Sequence, residues 1–348
     1  MTGKSFFLSL LNGNSSIACY PFHKFGFSPE HDKIKHYLTK RTTLHPYARK
    51  YFEYNKKYII KIKLYNEKEI YEINISELIL FIISNNNSIA YMLESHTTKK
   101  LPVFAGDSYF EYMNIDFNFN LFINRIEKNI NLYRKEIFEL EDLDNIIYNS
   151  FLDSTNQYNS SLSQYKYYCQ CTSNSLDEIN FLLKYYKNSK LIYIKRDSVS
   201  GSYAVAKRLS SKSIESSSKN HLKKIMFNYY YSRRKIDDDN FLNVTEKNYD
   251  KNKLLIVNFD DIFNKRSDVM HNVSDFLNIR FEESMMQPHV MNYKINNSDF
   301  LKNNMNDDPN ELFSEKELNE LRDILNSKIK LFFYKNLYRL LLKTRLLK

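Results

Sequence analysis

Residues 191–197 read Leu-Ile-Tyr-Ile-Lys-Arg-Asp, an apolar run of β-forming residues that ends in charged side chains. Such a run predicts a buried strand, and apolar residues at helical spacing precede it over residues 176–183. A second run of this kind lies at residues 254–257, with a helical stripe behind it at residues 269–277, and residues 165–171 are a third strand candidate. Strands that alternate with helices in this way predict an α/β fold with a mostly parallel sheet, covered on both faces.

The carboxyl ends of these strands mark the edge of the sheet where we expect a ligand. In parallel α/β sheets, ligands bind in the crevice beyond the carboxyl ends of the strands. Thr172, Arg196 and residues 258–261 directly follow three of the predicted strands. These residues should therefore lie along one edge of the sheet.

The region between about residue 30 and residue 160 has a different pattern. Two β-rich runs, at residues 58–64 and 70–73, flank a polar triplet and predict a hairpin. Helices are predicted over residues 77–84, 119–133 and 140–152. The Ser- and Asn-rich residues 154–163 have the composition of a linker. We interpret this region as a mixed insertion or cap, in which substrate specificity would reside.

Composition bounds the class of protein. Hydrophobic residues make up 43% of the 348 residues, which excludes wholesale disorder. The net charge of +10 fits nucleic acid, a membrane surface or a phosphorylated ligand as a partner. However, the scarcity of Gly and Pro beside abundant Asn, Lys, Ile and Tyr is typical of an AT-rich genome, and that bias alone produces an excess of Lys.

The cysteines and apolar runs bear on location. Three cysteines, Cys19, Cys169 and Cys171, cannot build a disulfide framework, and we interpret them as small strand residues in a reducing compartment. The first residues lack the layout of a signal peptide, and the longest apolar run, at residues 78–83, is too short to cross a bilayer. We therefore expect a cytoplasmic protein.

The C-terminal residues 328–348 contain seven Lys and Arg residues and no acid. Their apolar residues follow helical spacing. One interpretation is a basic amphipathic helix that makes peripheral contact with an anionic membrane. The alternative is a terminal helix that packs on the core and leaves its basic face in solvent.

The N-terminal residues Gly3, Lys4 and Ser5, at the start of a predicted helix, have the chemistry of a phosphate-binding loop. Glycine lets the backbone approach an anion, the helix start offers free N–H groups, and Lys and Ser add donors. A P-loop kinase is one interpretation, with Asp260 as the candidate ligand of Mg²⁺.

Five segments, in order, resemble the PAPS-dependent sulfotransferases, especially their bacterial and protein-tyrosine branch. Residues 1–5 align with that family's Arg-Ser-Gly-Thr-Thr loop, and residues 10–14 are similar to its Leu-Leu-Asp-Gly-His. Residues 190–197 resemble the strand that ends in Arg-Asp-Pro. Residues 255–262 resemble the strand that closes in Tyr-Glu-Asp-Leu, and residues 287–300 resemble the late loop that ends in Asn-Ser-Ser-Phe.

The resemblance implies a P-loop-like three-layer fold. Its nucleotide-binding core would comprise residues 1–28 and 165–348, with residues 29–164 inserted. It also implies 3′-phosphoadenosine 5′-phosphosulfate (PAPS) as the sulfate donor, no metal, no nucleic acid, and a hydroxyl acceptor such as a saccharide or a small metabolite.

Site residues follow from the same resemblance. Arg196 matches the Arg that holds the 3′-phosphate of the nucleotide. The other residues that we expect to bind the nucleotide are Gly3, Lys4, Ser5, Ser202, Arg208 and Ser298. Tyrosine-type relatives have a catalytic Glu at the position of Pro21, so His23, with an ordinary pKa of about 6.5, is our candidate base.

Several family positions differ here. Met1 stands in place of an Arg, residues 171–173 in place of Lys-Thr-Pro, and Ala204 in place of a Ser. The phosphosulfate loop is thus truncated or degenerate. A sulfotransferase-like binding protein without activity is therefore the first alternative, and a basic nucleic-acid-binding protein, supported only by charge and aromatic content, is the second.

Overall fold

The structure, a computed structural model, describes the chain in ranges. These are residues 4–23, 59–64, 68–74, 78, 119–154, 165–171, 182–183, 186, 188–210, 219–236, 252–290, 293–294 and 308–343.

Helices make up most of the described regular structure. They are α1 (Lys4–Leu11), α2 (Phe119–Tyr133), α3 (Leu140–Asp153), α4 (Ser198–Ser210), α5 (Lys219–Ile236), α6 (Phe259–Asn264), α7 (Arg266–Leu277), α8 (Glu315–Asn326) and α9 (Lys328–Lys343). The helices predicted at residues 119–133 and 140–152 and the helical stripe at residues 269–277 are confirmed. The helix predicted at residues 77–84 lies outside the described residues except for Leu78.

Strands are short and mostly parallel. They are β1 (Ile17–His23), β2 (Ile59–Lys63), β3 (Ile70–Asn74), β4 (Ile137–Glu139), β5 (Tyr167–Cys171), β6 (Leu191–Lys195), β7 (Leu254–Asn258), β8 (His289–Val290) and β9 (Tyr293–Lys294). Parallel pairs are β1–β5, β6–β7 and β2–β4, whereas β2–β3 and β8–β9 are antiparallel. The predicted hairpin and the three predicted strands at residues 165–171, 191–194 and 254–257 are confirmed.

The α/β class is therefore confirmed. The described strands form two parallel pairs, one mixed three-stranded sheet and one antiparallel pair. The three-layer P-loop-like arrangement stays a prediction.

A first hydrophobic core, the sheet core, joins distant parts of the sequence. It buries Phe6 of α1, Ile62 of β2, Phe122 of α2, Phe151 of α3 and Met270 of α7 in one continuous cluster. Burial of these apolar side chains is the main force that holds the strands and helices together. The described parts of residues 29–164 thus share their core with the N-terminal helix and with the second half of the chain. The domain boundary at residue 165 stays a prediction.

A second cluster, the helical core, contains no strand residue among its described members. Its buried side chains come from α4, α5, α8 and α9 and from the turn before α8. Phe227 of α5 is fully buried and contacts the rings of Tyr334 and Tyr338 of α9, with ring centres 6.1 and 5.3 Å away. The C-terminal helix therefore packs on a core along one of its faces, and both interpretations of residues 328–348 stay predictions.

No helix in the described ranges combines the length and the apolarity that a membrane crossing requires.

Candidate functional site

Arg196 lies at the carboxyl end of β6, next to the carboxyl end of β7. The parallel register pairs Lys195 with Asn258, so the residues that follow the two strands are neighbours. The guanidinium carbon of Arg196 lies 4.5 Å from the ring centre of Phe259, the first residue of α6. A cation over an aromatic face is attracted by the ring quadrupole, which fixes the direction of the arginine. The predicted neighbourhood of Arg196 and residues 258–261 is confirmed.

The stem of Arg196 lies along the first turn of α4. A Cβ atom added at Gly201 would contact Cδ of Arg196 at 3.6 Å, an ordinary van der Waals distance. Arg196 is therefore held between Gly201 on one side and the ring of Phe259 on the other. This packing positions the guanidinium before any ligand arrives.

Asp197 caps the start of α4. Its Oδ1 accepts hydrogen bonds from the backbone N–H of Val199 at 3.1 Å, and from the N–H and hydroxyl of Ser200 at 3.0 and 3.2 Å. Its Oδ2 accepts a bond from Nε of Arg322 in α8 at 3.3 Å. A carboxylate at a helix start satisfies backbone donors and complements the helix dipole. Asp197 is thus a structural residue that connects the start of α4 to α8.

Stacked aromatic rings connect Phe259 to the first turn of α1. The rings of Phe259 and Phe263 meet edge to face at 5.0 Å, and the rings of Phe263 and Phe6 stack at 4.9 Å with an angle of 8°. Such pairs add stability beyond the burial of their area. We call Arg196, Phe259, Phe263 and Phe6 the rim. It spans the carboxyl ends of β6 and β7 and the start of α1.

Arg266 holds the stacked rings from the α7 side. Its guanidinium lies 5.5 Å from the ring centre of Phe6, and it donates to the backbone carbonyls of Ile262 at 3.2 Å and Met286 at 2.8 Å. Burial lowers the pKa of Arg266 from its ordinary value. With its donors engaged and its charge half-buried, Arg266 is a structural cation.

Helix α1 begins at Lys4, so the helix start predicted at Gly3-Lys4-Ser5 is confirmed. Gly3 and the side chains of Lys4 and Ser5 lie outside the described part of the chain. The turn over residues 12–16 folds α1 back on β1, and Sγ of Cys19 in that strand lies 3.6 Å from the carbonyl of Leu8. The start of α1 is consequently on the same side as the carboxyl end of β1.

The other end of α1 carries the Leu10–Asn14 segment, which has a structural role. A Cβ atom at Gly13 would lie 2.5 Å from the carbonyl oxygen of Ser284, so only glycine fits there. The hydroxyl of Ser284 donates to the Gly13 carbonyl at 2.6 Å, and Asn14 donates to the Arg280 carbonyl at 2.8 Å. The glycine and amides of this motif fasten α1 and β1 to residues 280–286.

Ser202 and Ala204 lie on buried positions of α4. The hydroxyl of Ser202 donates to the carbonyl of Ser198 at 2.6 Å, and its side chain is 1% exposed. Ala204 is 2% exposed. The Ser202 hydroxyl proton is therefore used within the helix. Arg208 lies further along α4, and its side chain is outside the described part of the chain, as are all atoms of Ser298.

His23 ends β1 and stands opposite Cys171, the last residue of β5. The His23 side chain and Thr172 lie outside the described residues. Cys19 and Cys169 pair earlier in the same two strands, before a shift of register, and both carry free thiols. In the described ranges, no group of three or more His, Cys, Asp or Glu side chains is arranged to hold a metal ion. Asp260, the magnesium ligand of the kinase interpretation, is exposed in the first turn of α6.

The position of Arg196 at a strand end was predicted from the sequence, but the residues that contact it and Asp197 were not. No sequence pattern identifies Gly201 or Arg322, because their contacts with Arg196 and Asp197 arise from the packing of α4. The rings of Phe6 and Phe263 are far apart in sequence. The burial of Ser202 could have been predicted from the sequence, because Val199, Tyr203 and Ala206 lie at helical spacing from it and form an apolar face.

The family comparison agrees with the resemblance. Residues 120–283 match the model described as the Sulfotransferase family. The matched segment includes Arg196, Ser202 and Arg208, whereas residues 1–5, His23 and Ser298 lie outside it. It begins at α2, inside the region that we interpreted as an insertion. No curated protein and no solved structure matches this chain.

Proposed function

We propose that this chain transfers the sulfuryl group of PAPS to a hydroxyl of an acceptor, because its residues 120–283 match the model of a sulfotransferase family. The bacterial and tyrosine-type branch, the saccharide or small-metabolite acceptor and a cytoplasmic location are parts of this proposal. They rest on the resemblance of the sequence.

The observation that carries the proposal is the rim. Three ring contacts of 4.5, 5.0 and 4.9 Å connect Arg196 through Phe259 and Phe263 to Phe6 in the first turn of α1. An arginine at a strand end suits a phosphate, because its planar fork can donate two hydrogen bonds to phosphate oxygens. A helix start offers N–H groups and a positive dipole end to a second anion. PAPS carries one anionic group at each end of its ribose.

The residues fit the nucleotide in the following way. Arg196 would hold the 3′-phosphate, and the start of α1, with Gly3, Lys4 and Ser5, would hold the 5′-phosphosulfate. The fit is incomplete in α4. The Asp197 carboxylate accepts the N–H groups at the start of that helix, and the Ser202 hydroxyl donates its proton to the Ser198 carbonyl, so neither is left to donate to the nucleotide. Arg208 and Ser298 stay candidate contacts.

In the reaction, the acceptor oxygen attacks sulfur in line with the leaving phosphate oxygen. The new bond joins acceptor oxygen to sulfur, the bond between sulfur and the bridging oxygen breaks, and adenosine 3′,5′-bisphosphate leaves. The acceptor proton passes to a base, for which His23 at the end of β1 is the candidate. Lys4 and the N–H groups at the start of α1 would stabilise charge on the leaving phosphate.

A second candidate is a nucleotide-binding protein without transferase activity. Ala204 provides no hydroxyl at the position where relatives have a Ser, and the neighbouring Ser202 hydroxyl is engaged within α4. This candidate predicts binding of the nucleotide without turnover.

Two measurements test the proposal. Isothermal titration of the full chain with adenosine 3′,5′-bisphosphate should show saturable binding, and its absence would contradict both candidates. Release of that product from PAPS in the presence of pooled saccharides or phenols should then exceed release without an acceptor. Binding without any acceptor-dependent release would favour the second candidate. ATP hydrolysis that requires Mg²⁺ would instead favour the kinase interpretation.

A further inference from the structure

Helix α9 exposes an apolar stripe on the side away from its buried residue Leu331, and at the edge of the stripe the ring of Phe332 lies 6.0 Å from the ring of Tyr231 in α5. The side chains of Ile329, Phe332, Phe333 and Leu340 are 84%, 55%, 60% and 60% exposed. Their spacing of three, four and eleven residues from Ile329 puts them on one side of the helix. We call these four residues the apolar stripe.

The opposite face of α9 accounts for the stability of the helix. Leu331 is buried in the helical core, and Tyr334 and Tyr338 pack on Phe227. A terminal helix anchored on one side needs no second apolar face for its own folding. Large exposed side chains therefore call for another explanation, because contiguous exposed apolar surface marks interaction sites.

The apolar stripe stands out within the molecule. In the described ranges, the other exposed large hydrophobic side chains are all aliphatic: Ile59, Ile70 and Ile137 lie on the sheet of β2, β3 and β4, and Leu132 and Leu209 lie on two separate helices. The two exposed phenylalanines of these ranges are both on α9 and are adjacent in sequence. Phenylalanine and leucine on one face of a helix are typical of helices that lie in a membrane interface.

The charge of α9 identifies the partner. The helix contains five basic residues, Lys328, Lys330, Lys335, Arg339 and Lys343, and no acid. Lys330 pairs with Asp323 of α8 at 2.5 Å, and Lys335 lies 3.8 Å from the ring centre of Tyr231 of α5. Asp323 thus neutralises one of the five charges, and Tyr231 leaves the charge of Lys335 intact. Arg345 and Lys348 follow the helix in the sequence.

We infer that α9 docks this protein on an anionic lipid surface, with the apolar stripe inserted at the level of the headgroups. The basic residues of the helix would attract the negative surface, and the stripe would supply apolar contact after arrival. This inference does not depend on the proposed sulfotransferase activity, because the stripe belongs to α9 and includes no residue of the rim.

The first test uses the unmodified chain and two kinds of vesicle. Sedimentation should show binding to vesicles that contain phosphatidylserine with phosphatidylcholine, and little binding to phosphatidylcholine alone. Added salt should weaken the binding, because it screens attraction between exposed charges. Absence of binding to the anionic vesicles, or equal binding to both kinds, would overturn the inference whatever the variants do.

The second test removes the stripe. Combining Ile329→Ser with Phe333→Ser should reduce partition into anionic vesicles by about 10-fold or more, because two apolar side chains lose their transfer into lipid. The matched control combines Leu132→Ser with Leu209→Ser, two exposed side chains of α2 and α4, and should bind as the unmodified chain does. Circular dichroism and the melting temperature check that both variants fold.

Two outcomes of this test would overturn the inference. One is unchanged vesicle binding by the folded stripe variant. The other is a concentration-dependent dimer of the unmodified chain in sedimentation velocity that the stripe variant loses, since a second copy of the chain would then cover the stripe.

Discussion

The sheet core and the helical core are built differently, and Arg196 lies where they meet. The sheet core joins buried residues as distant as Phe6 and Met285, whereas the buried residues of the helical core all lie between Val199 and Leu331. Helix α4 begins at the rim and buries its apolar face in the helical core. The sheet core thus supplies the ring under Arg196, and α8, one of the helices around the helical core, supplies Arg322, the partner of Asp197. Changes far from the rim can therefore reach the candidate site through α4.

The largest expected effect is a loss of stability when the helical core alone is changed. Phe227→Ala removes a fully buried ring that contacts Tyr334 and Tyr338, and should lower the free energy of unfolding by about 3–5 kcal/mol. Urea denaturation followed by circular dichroism measures this loss. Phe333→Ala, which removes an exposed ring, is the matched control and should cost less than about 1 kcal/mol. Similar losses for the two variants would mean that Phe227 does not anchor the helical core.

The next largest effect is the loss of stability expected when Asp197, which connects the two cores, is replaced. Asp197→Ala removes the cap of α4 and the partner of Arg322, and should destabilise the protein by about 1–2 kcal/mol. Asp197→Asn retains a capping oxygen and loses only the ion pair, so its loss should be about 1 kcal/mol or less. Thermal unfolding of both variants provides the comparison. Equal losses would show that the charge, and not the cap, is what matters.

The smallest effect concerns pH and the polar edge of the helical core. The backbone N–H of Ser314 and the ammonium groups of Lys219 and Lys223 hold the pKa of Glu317 at about 2. A depressed carboxyl pKa stabilises the fold above the unfolded value of about 4.3, and this contribution disappears as the pH falls through about 2.

The advantage of the unmodified chain over Glu317→Gln should therefore be about 1 kcal/mol at most at neutral pH, and should shrink between pH 4 and pH 2. Urea midpoints across this range measure it. Glu320→Gln changes an exposed carboxylate on the same helix and serves as the control. A difference that grows as the pH falls would contradict the assignment.

Local sequence patterns predicted the helices and strands, whereas the contacts around Arg196 depend on how these elements pack. The helix over residues 119–133 and the strands β6 and β7 follow from the spacing of apolar residues, and the adjacency of Arg196 and residue 259 follows from two parallel strands. The stacking of Phe6 on Phe263 could not be predicted, because it depends on how α1 folds back on β1. The role of Asp197 as a helix cap was not predicted, because it depends on α4 beginning directly after the strand end.

The position of Arg196 could be predicted because the end of a strand determines it. Ser202 stays a predicted nucleotide contact, and its hydroxyl donates to the carbonyl of Ser198 from a buried position of α4 that no strand end determines. Gly13 was part of the resemblance, and its close approach to Ser284 gives it a structural reason that no local pattern contains.

The most direct measurement is the binding of adenosine 3′,5′-bisphosphate by Arg196→Ala. Hydrogen bonds to charged groups contribute about 1.5–3 kcal/mol, so isothermal titration should show binding weakened roughly 10- to 150-fold. Affinity for adenosine 5′-monophosphate, which lacks the 3′-phosphate, should change much less. Arg280→Ala, which removes an exposed arginine near the other end of α1, is the control and should bind both nucleotides as the unmodified chain does. If Arg196→Ala remains folded and loses affinity for both nucleotides equally, or for neither, Arg196 does not hold the 3′-phosphate and the rim is not the nucleotide site.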